Sequence, residues 1–130
     1  MSLNDPLAGV LSDIMNHQRV AKKELVTKFN STLIRTVLGV LQQQGYIGSL
    51  EELPDGKNNI LKINLLGNIN KIGAIKPRFP VTRETAVKFE KRFLPAKDFG
   101  IIIISTNQGI MTLQQAKEKQ LGGRLLCYCY

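Results

Sequence analysis

The chain has 130 residues, enough for one compact domain or two very small ones, and 43 % of them are hydrophobic, which excludes wholesale disorder. No apolar run approaches the roughly 20 residues that cross a bilayer, and the N-terminal MSLNDPLAGV lacks the basic-then-apolar layout of a secretory signal. We therefore expect a cytoplasmic protein without a membrane segment. Its formal net charge is +8.

The positive charge is concentrated in one segment. Residues 71–97 hold eight Lys/Arg against two Asp/Glu, a net +6, whereas residues 1–70 and residues 98–130 contribute +1 each. Lysines that serve only solubility would be spread more evenly along the chain. The local excess therefore favours a polyanionic partner over a merely solvated surface.

The N-terminal part begins with a predicted amphipathic helix. Asp5 and Pro6 are typical of a helix start, since aspartate caps free backbone N–H groups and proline fits the first turn. Apolar residues recur at helical spacing until the helix is expected to end near His17. Residues 24–29 alternate between polar and apolar side chains and predict a short strand.

A second helix and a hairpin follow. Asn30 or Ser31 is expected to cap the helix, and Gly45 to end it. Two strands, Tyr46–Leu53 and Ile60–Leu66, flank the turn sequence PDGK. The resulting βαββ unit with its leading helix can place both helices on one face of a three-stranded sheet.

The segment 71–97 is predicted to be irregular apart from one short helix. KPRFPV at residues 76–81 predicts an extended or edge segment because prolines interrupt it. Residues 84–94 predict a helix with Val87 and Phe93 directed inward. Its basic residues are expected to face outward; they are Lys88, Lys91 and Arg92.

The last segment predicts three strands and a short helix. The expected elements are strands Ile101–Ile104 and Gly109–Met111 around a turn at 105–108, a helix Leu113–Lys119 capped by Thr112, and a final strand Arg124–Tyr130. The fold class predicted is thus α+β. It has an N-terminal α+β domain at 1–70 and a mostly-β C-terminal domain with a short helix at 71–130.

No residue pattern indicates an enzyme or a metal site. His17 is the only histidine and has no evident catalytic partner, and neither a phosphate-binding GxxxxGK[ST] nor a GxGxxG after a strand is present. Cys127 and Cys129 point to one face of the last strand but lack a second ligand pair, so they are interpreted as core side chains. We expect no cofactor and no metal.

The uncharged stretch at the predicted turn is the best candidate for recognition. Ser105, Thr106, Asn107 and Gln108 offer short donors and acceptors between two stiff strands, and Gly109 lets a ligand approach the backbone. These residue types also form ordinary turns. Beside the +6 segment they favour binding to structured RNA, whereas the scarcity of aromatic residues disfavours a single-strand platform.

Four stretches resemble a known family. The block FGIIIISTNQGIMTLQQAKEKQLGGRLLCYCY at 99–130, with GYIG at 45–48, INKIGAIKPRFPV at 69–81 and the N-terminal DPLA, is similar to the eighth small-subunit ribosomal protein family in its archaeal and eukaryotic cytosolic branch. The resemblance implies an α+β N-terminal half packed on a mostly-β C-terminal half. It also implies early docking onto a central-domain helix of small-subunit ribosomal RNA, with other small-subunit proteins as neighbours and neither a membrane nor a small-molecule substrate.

The resemblance also suggests which residues meet the RNA. In the family the Ser-Thr turn enters a distorted minor groove, which places at the RNA Ser105, Thr106, Asn107 and Gly109, with Gly122, Gly123 and Arg124 nearby. Charge alone adds five phosphate contacts: Lys76, Arg78, Lys88, Arg92 and Lys97.

Two other functions remain open at this point. An RNA-modifying enzyme or its accessory subunit could carry the same basic surface, although the glycine-rich loop and acidic ribose partner of a methyltransferase are absent from the sequence. A protein-interaction module could use the basic segment 71–97 to bind acidic partners.

Overall fold

The computed structural model describes residues 6–28, 30–55, 58–96 and 99–130. The chain forms two compact units, Met1–Ile69 and Asn70–Tyr130. Each combines helices with an antiparallel sheet, and the predicted α+β class is confirmed. Within the described ranges, no helix is long and apolar enough to span a membrane.

The first unit has two helices and three strands. They are α1 (Pro6–Arg19), β1 (Glu24–Thr27), α2 (Thr32–Gln43), β2 (Ile47–Asp55) and β3 (Asn58–Leu65). The strands form an antiparallel sheet in the order β1-β3-β2. Asp5, the predicted cap of α1, lies outside the described residues, and α1 continues two residues past His17.

The local chemistry of α2 agrees with the sequence pattern. Ser31 is the N-cap, and its hydroxyl accepts the Ile34 N–H at 3.2 Å. Gly45, just after the helix, has φ +81°, a conformation that glycine adopts without strain. The apolar side of α2 is buried, as are the matching sides of α1 and β3, and this burial supplies most of the stability of helices this short.

The β2–β3 hairpin is longer than predicted. Pro54 lies within β2, paired with Asn59, and not in the turn. Gly56 and Lys57 of the predicted turn lie outside the described residues. A proline fits here because β2 is an edge strand, so one of its sides needs no hydrogen-bond partner.

The second unit is built around its last strand. Its elements are β4 (Ile72–Ala74), β5 (Pro80–Val81), α3 (Ala86–Phe93), β6 (Ile101–Thr106), β7 (Gly109–Thr112), α4 (Leu113–Glu118) and β8 (Gly123–Cys129). The sheet has the order β4-β8-β6-β7, and β5 also pairs with β8. Strand β8 therefore contacts three partners and organises the unit.

One face of this sheet carries the hydrophobic core. Ile102, Ile104 and Leu125 pack there with Ala86 and Phe89 of α3 and with α4. The prediction that Val87 points inward is wrong, since half of its surface is exposed. Because α3 begins at Ala86, its buried positions are Ala86 and Phe89, with Phe93 half-buried one turn later, and the helical repeat turns Val87 about 100° away from them.

The opposite face of the sheet holds both cysteines. Cys127 pairs with Ile103 and Cys129 with Ile101, and both thiols are free and buried. Burial raises the pKa of both thiols, that of Cys129 to about 12. The interpretation as core side chains is confirmed.

The start of α4 is fixed by two reciprocal hydrogen bonds. The Thr112 hydroxyl accepts the Gln115 N–H at 3.2 Å, and the Gln115 side-chain oxygen accepts the Thr112 N–H at 3.1 Å. This capping box confirms Thr112 as the cap and anchors the helix directly to the end of β7.

Candidate nucleic-acid interface

The neutral stretch forms a hairpin that is tighter than predicted. Ser105 and Thr106 are the last two residues of β6 and not part of the turn. Thr106 pairs with Gly109, so Asn107 and Gln108 alone connect the strands. Asn107, Gln108 and Gly109 are exposed, and the φ of +121° at Gly109 favours glycine there.

The hydroxyl of Thr106 closes this turn. It donates to the Gly109 carbonyl at 2.7 Å and accepts the Gln108 N–H at 3.1 Å. Its only hydrogen is therefore used within the hairpin, and one lone pair remains for a ligand. The Ser105 hydroxyl, in contrast, is half-buried and has no hydrogen-bond partner among the described residues.

The sheet register brings five of the predicted residues together. Thr106 lies between Gly109 and Gly123, and Ser105 pairs with Arg124. Residues paired across an antiparallel sheet share a face. Ser105 and Arg124 therefore occupy one face at this end of the sheet, and Thr106 lies on the other.

Two predicted site residues, Gly122 and Gly123, need to be glycine because neighbouring strands approach them closely. A Cβ on Gly123 would lie 2.1 Å from the Ser105 carbonyl oxygen and 3.2 Å from Cγ2 of Thr106. A Cβ on Gly122 would lie 2.9 Å from the Val81 carbonyl oxygen. The glycines allow β5 and β6 to approach β8, and thereby set the position of the hairpin.

One predicted phosphate contact, Arg78, lies beside Arg124 at the hairpin end. Arg124 is exposed and its Nη1 donates to the Arg78 carbonyl at 3.4 Å, while the Leu125 N–H donates to the Phe79 carbonyl at 3.0 Å. The backbone of the exposed Arg78 therefore lies beside Arg124, the residue of β8 that pairs with Ser105.

The remaining predicted cations lie elsewhere in the segment 71–97. The Arg92 guanidinium lies 5.4 Å from the ring centroid of Phe79 and 5.2 Å from that of Phe93. Lys88 is one turn earlier on the same side of α3, and it is exposed, as is Lys76. Lys97 lies outside the described residues.

A family model described as ribosomal protein S8 matches residues 5–130. The chain belongs to the ribosomal protein S8 family. The match covers nearly the whole chain and confirms the resemblance found in the sequence. Membership makes this chain a ribosomal protein of the small subunit, one that binds ribosomal RNA as a structural constituent of the ribosome.

Membership also removes one of the open alternatives. Ribosomal protein S8 is a structural family and not a family of enzymes, so the RNA-modifying activity considered above is excluded. Which branch of the S8 family the chain belongs to, and which of its residues touch RNA, stay predictions.

Sequence reasoning missed a set of ring contacts in this S8 chain. Six of its eight Phe and Tyr residues make ring contacts within the second unit, in one group of two and one of four, although the scarcity of aromatic residues had disfavoured a single-strand platform. Part of the pattern was visible, since Tyr128 and Tyr130 share one side of an extended chain and Phe89 and Phe93 one side of a helix. The approach of these two pairs depends on tertiary packing.

A second feature that sequence reasoning missed concerns the charge of the basic segment 71–97. Lys117 Nζ lies 2.7 Å from Glu90 Oε1, and both side chains are largely buried. This ion pair joins α3 to α4 and cancels the Glu90 charge inside the basic segment. The cations on the exposed side of α3 are therefore opposed by fewer carboxylates than the composition suggests.

Proposed function

We propose that this S8 chain is a primary binder of a helix in the central domain of small-subunit ribosomal RNA. By holding that helix in an assembly-competent shape, it aids subunit assembly and hence translation. One observation carries the proposal beyond family membership: the neutral hairpin end at Ser105–Gly109 stands directly beside the exposed arginines Arg78 and Arg124.

In this proposal the hairpin end contacts groups in the minor groove of the RNA helix. The minor groove of A-form RNA is wide and shallow and displays 2′-hydroxyls and base edges, so a narrow neutral projection can reach them. Ser105 and Asn107 supply the side-chain groups, and Gly109 supplies backbone. The Thr106 hydroxyl and the close β6–β8 approach at Gly123 support this role, because they hold the projection rigid before RNA arrives.

The cations supply affinity and position. Arg78, Arg92 and Arg124 lie close to the hairpin or to the segment beside it, and bonds from such groups to phosphates carry little sequence information. Three lysines complete the proposed set of phosphate contacts: Lys76, Lys88 and Lys97.

The wider setting follows from the same reasoning. The C-terminal residues 71–130 form the RNA-binding domain, and residues 1–70 form a separate α+β domain. GYIG at 45–48 and INKIGAIKPRFPV at 69–81 support the archaeal and eukaryotic cytosolic branch. The chain then acts in the cytoplasm on the small ribosomal subunit, beside other small-subunit proteins.

A binding titration tests this function. The full chain is titrated with a short hairpin from the central domain and with a scrambled duplex of equal length, each at two salt concentrations. We expect the hairpin to bind at least about tenfold more tightly, a factor equivalent to ~1.4 kcal/mol of discrimination. Equal affinities for the two RNAs at both salt concentrations would contradict the proposal.

A further inference from the structure

Four aromatic residues form a continuous stack at one end of the second unit, here called the aromatic stack: Phe93, Tyr128, Tyr130 and Phe99. Successive ring centroids are 5.6, 6.3 and 6.3 Å apart. The interplanar angle is 26° between Phe93 and Tyr128 and 24° between Tyr128 and Tyr130, whereas Phe99 is tilted by 55° to Tyr130. These are the distances at which aromatic side chains attract one another.

The backbone is arranged to admit these rings. Gly73 pairs with Tyr128 across β4 and β8, and a Cβ at Gly73 would lie only 3.0 Å from the Tyr128 hydroxyl. Gly100 has φ +92°, and a Cβ there would lie 2.6 Å from Cβ of Tyr130. Two glycines thus leave the space in which the tyrosines stack.

The two ends of the aromatic stack differ. At one end the Arg92 guanidinium lies over Phe93, as it does over Phe79 next to Arg78, so this end leads into the candidate interface. At the other end Phe99 is 50 % exposed, and among the described residues its ring contacts Tyr130 alone. Half of Phe99 is therefore open to solvent where the stack stops.

We propose that an unpaired nucleobase of RNA stacks on the exposed ring of Phe99. The inference rests on the proposed function, since it adds a second contact to the same RNA. The segment 71–97 has a net charge of +6, and its exposed Lys71 pairs through the backbone with Tyr130, whose ring contacts Phe99. Charge near this end of the aromatic stack therefore favours a polyanion as the occupant. Unpaired nucleotides combine that charge with flat π faces, which the acidic side chains of a protein partner lack.

The experiment separates base stacking from charge. The full chain is titrated with single-stranded oligoadenosine that carries one 2-aminopurine, and with an abasic ribose-phosphate oligomer of equal length and charge. We expect oligoadenosine to bind at least about fivefold more tightly, the lower range for one base stacked on an aromatic ring. Bound 2-aminopurine should lose emission because stacking quenches it.

Three variants locate the stacking site. Phe99→Leu keeps an apolar side chain without the ring, and should bring the preference for oligoadenosine over the abasic oligomer close to one. Phe99→Tyr keeps a ring and should retain the preference. Val87→Ala is the matched control, since Val87 is equally exposed in the same unit but is not part of the aromatic stack.

Two results would overturn the inference. One is equal binding of the two oligomers by the unsubstituted chain. That result would indicate that Phe99 contacts an apolar protein neighbour and not a base. The other is a preference that persists in Phe99→Leu, because the bases then stack elsewhere. Neither result changes the titration with the central-domain hairpin, so the proposed function stands or fails separately.

Discussion

Ser105 and Thr106 are adjacent in sequence and have different surroundings. The Thr106 hydroxyl bonds within the turn to Gly109 and Gln108, whereas the Ser105 hydroxyl has no bond to any described residue. At the scale of the residue, Thr106 shapes the hairpin, and the Ser105 hydroxyl keeps its hydrogen for the proposed bond to RNA. Substitution can separate these two roles.

Ser105→Ala is expected to lower the discrimination between the central-domain hairpin and a scrambled duplex. By analogy with base contacts in DNA the loss is about 1–3 kcal/mol, and the salt dependence stays unchanged because no charge is removed. The free energy of unfolding should change little. Titration and urea unfolding measure the two quantities.

Thr106→Val is the companion variant. It removes the two hydroxyl bonds of the turn and should lower the free energy of unfolding by about 0.5–1.5 kcal/mol per lost bond. Unchanged discrimination in the Ser105→Ala, Thr106→Val double variant would show that the hairpin end does not read the RNA.

At the scale of secondary-structure elements, the spacing between β6 and β8 sets the position of the hairpin end. Gly123 lies where Thr106 and the Ser105 carbonyl come closest to β8. The hairpin is therefore held by a neighbouring strand as well as by its own turn. A change at Gly123 should therefore reach the hairpin through the spacing of the strands.

Gly123→Ala tests this dependence. Its Cβ would meet the Ser105 carbonyl oxygen at 2.1 Å, and since backbone is hard to displace, the free energy of unfolding should fall by about 1–3 kcal/mol or more. Amide chemical shifts of Ser105 and Thr106 should move as well.

Gly39→Ala is the matched control for that variant. Gly39 lies inside α2, and a Cβ there would meet nothing within 4 Å. The same substitution should therefore raise the free energy of unfolding by about 0.5–1 kcal/mol through helix propensity. If Gly123→Ala proved as stable as the unsubstituted chain, the strand spacing would not be limiting.

Short-range chemistry was predictable from the sequence, and pairing between distant residues was not. The Ser31 and Thr112 caps and the stop at Gly45 depend on neighbours within a few residues, so sequence reasoning found them. Ser105 belongs to β6 through two pairings, one with Ile110 in the same hairpin and one with Arg124 on β8, nineteen positions further along the chain. The sequence around Ser105 carries no trace of the pairing with Arg124.

The same distinction applies to the candidate site. Composition located the basic segment, yet Glu90 is neutralised by Lys117 from another helix, and Val87 is exposed because α3 begins at Ala86. The aromatic stack joins residues of α3, β8 and the segment between α3 and β6. Contacts of that kind arise only when the sheet and helices pack, so counting aromatic residues could not reveal them.

At the scale of the whole molecule, charge and shape are expected to contribute different parts of the binding free energy. The net charge of +8 is expected to attract any RNA, and we propose that the hairpin end selects among RNAs. The salt dependence of affinity measures the first contribution. The ratio of affinities for two RNAs measures the second.

Arg78→Ala is expected to weaken binding to the central-domain hairpin and to the scrambled duplex alike. The slope of log affinity against log salt should fall by roughly one phosphate contact for each RNA. Arg35→Ala removes the same charge from the first unit, where Arg35 lies 3.4 Å from Glu52, and should leave the slope nearly unchanged. Equal slopes in both variants would place Arg78 away from the RNA.

The position of β8 in the sheet has a consequence for the order of events during synthesis. Strands β4, β5 and β6 all pair with β8, which follows them in the chain. A nascent chain that has not yet released residues 123–129 from the exit tunnel leaves those three strands without their common partner. Met1–Ile69 emerges first and can fold in the meantime. The ability to recognise RNA should thus appear late in translation, when Arg124 of β8 pairs with Ser105 of β6.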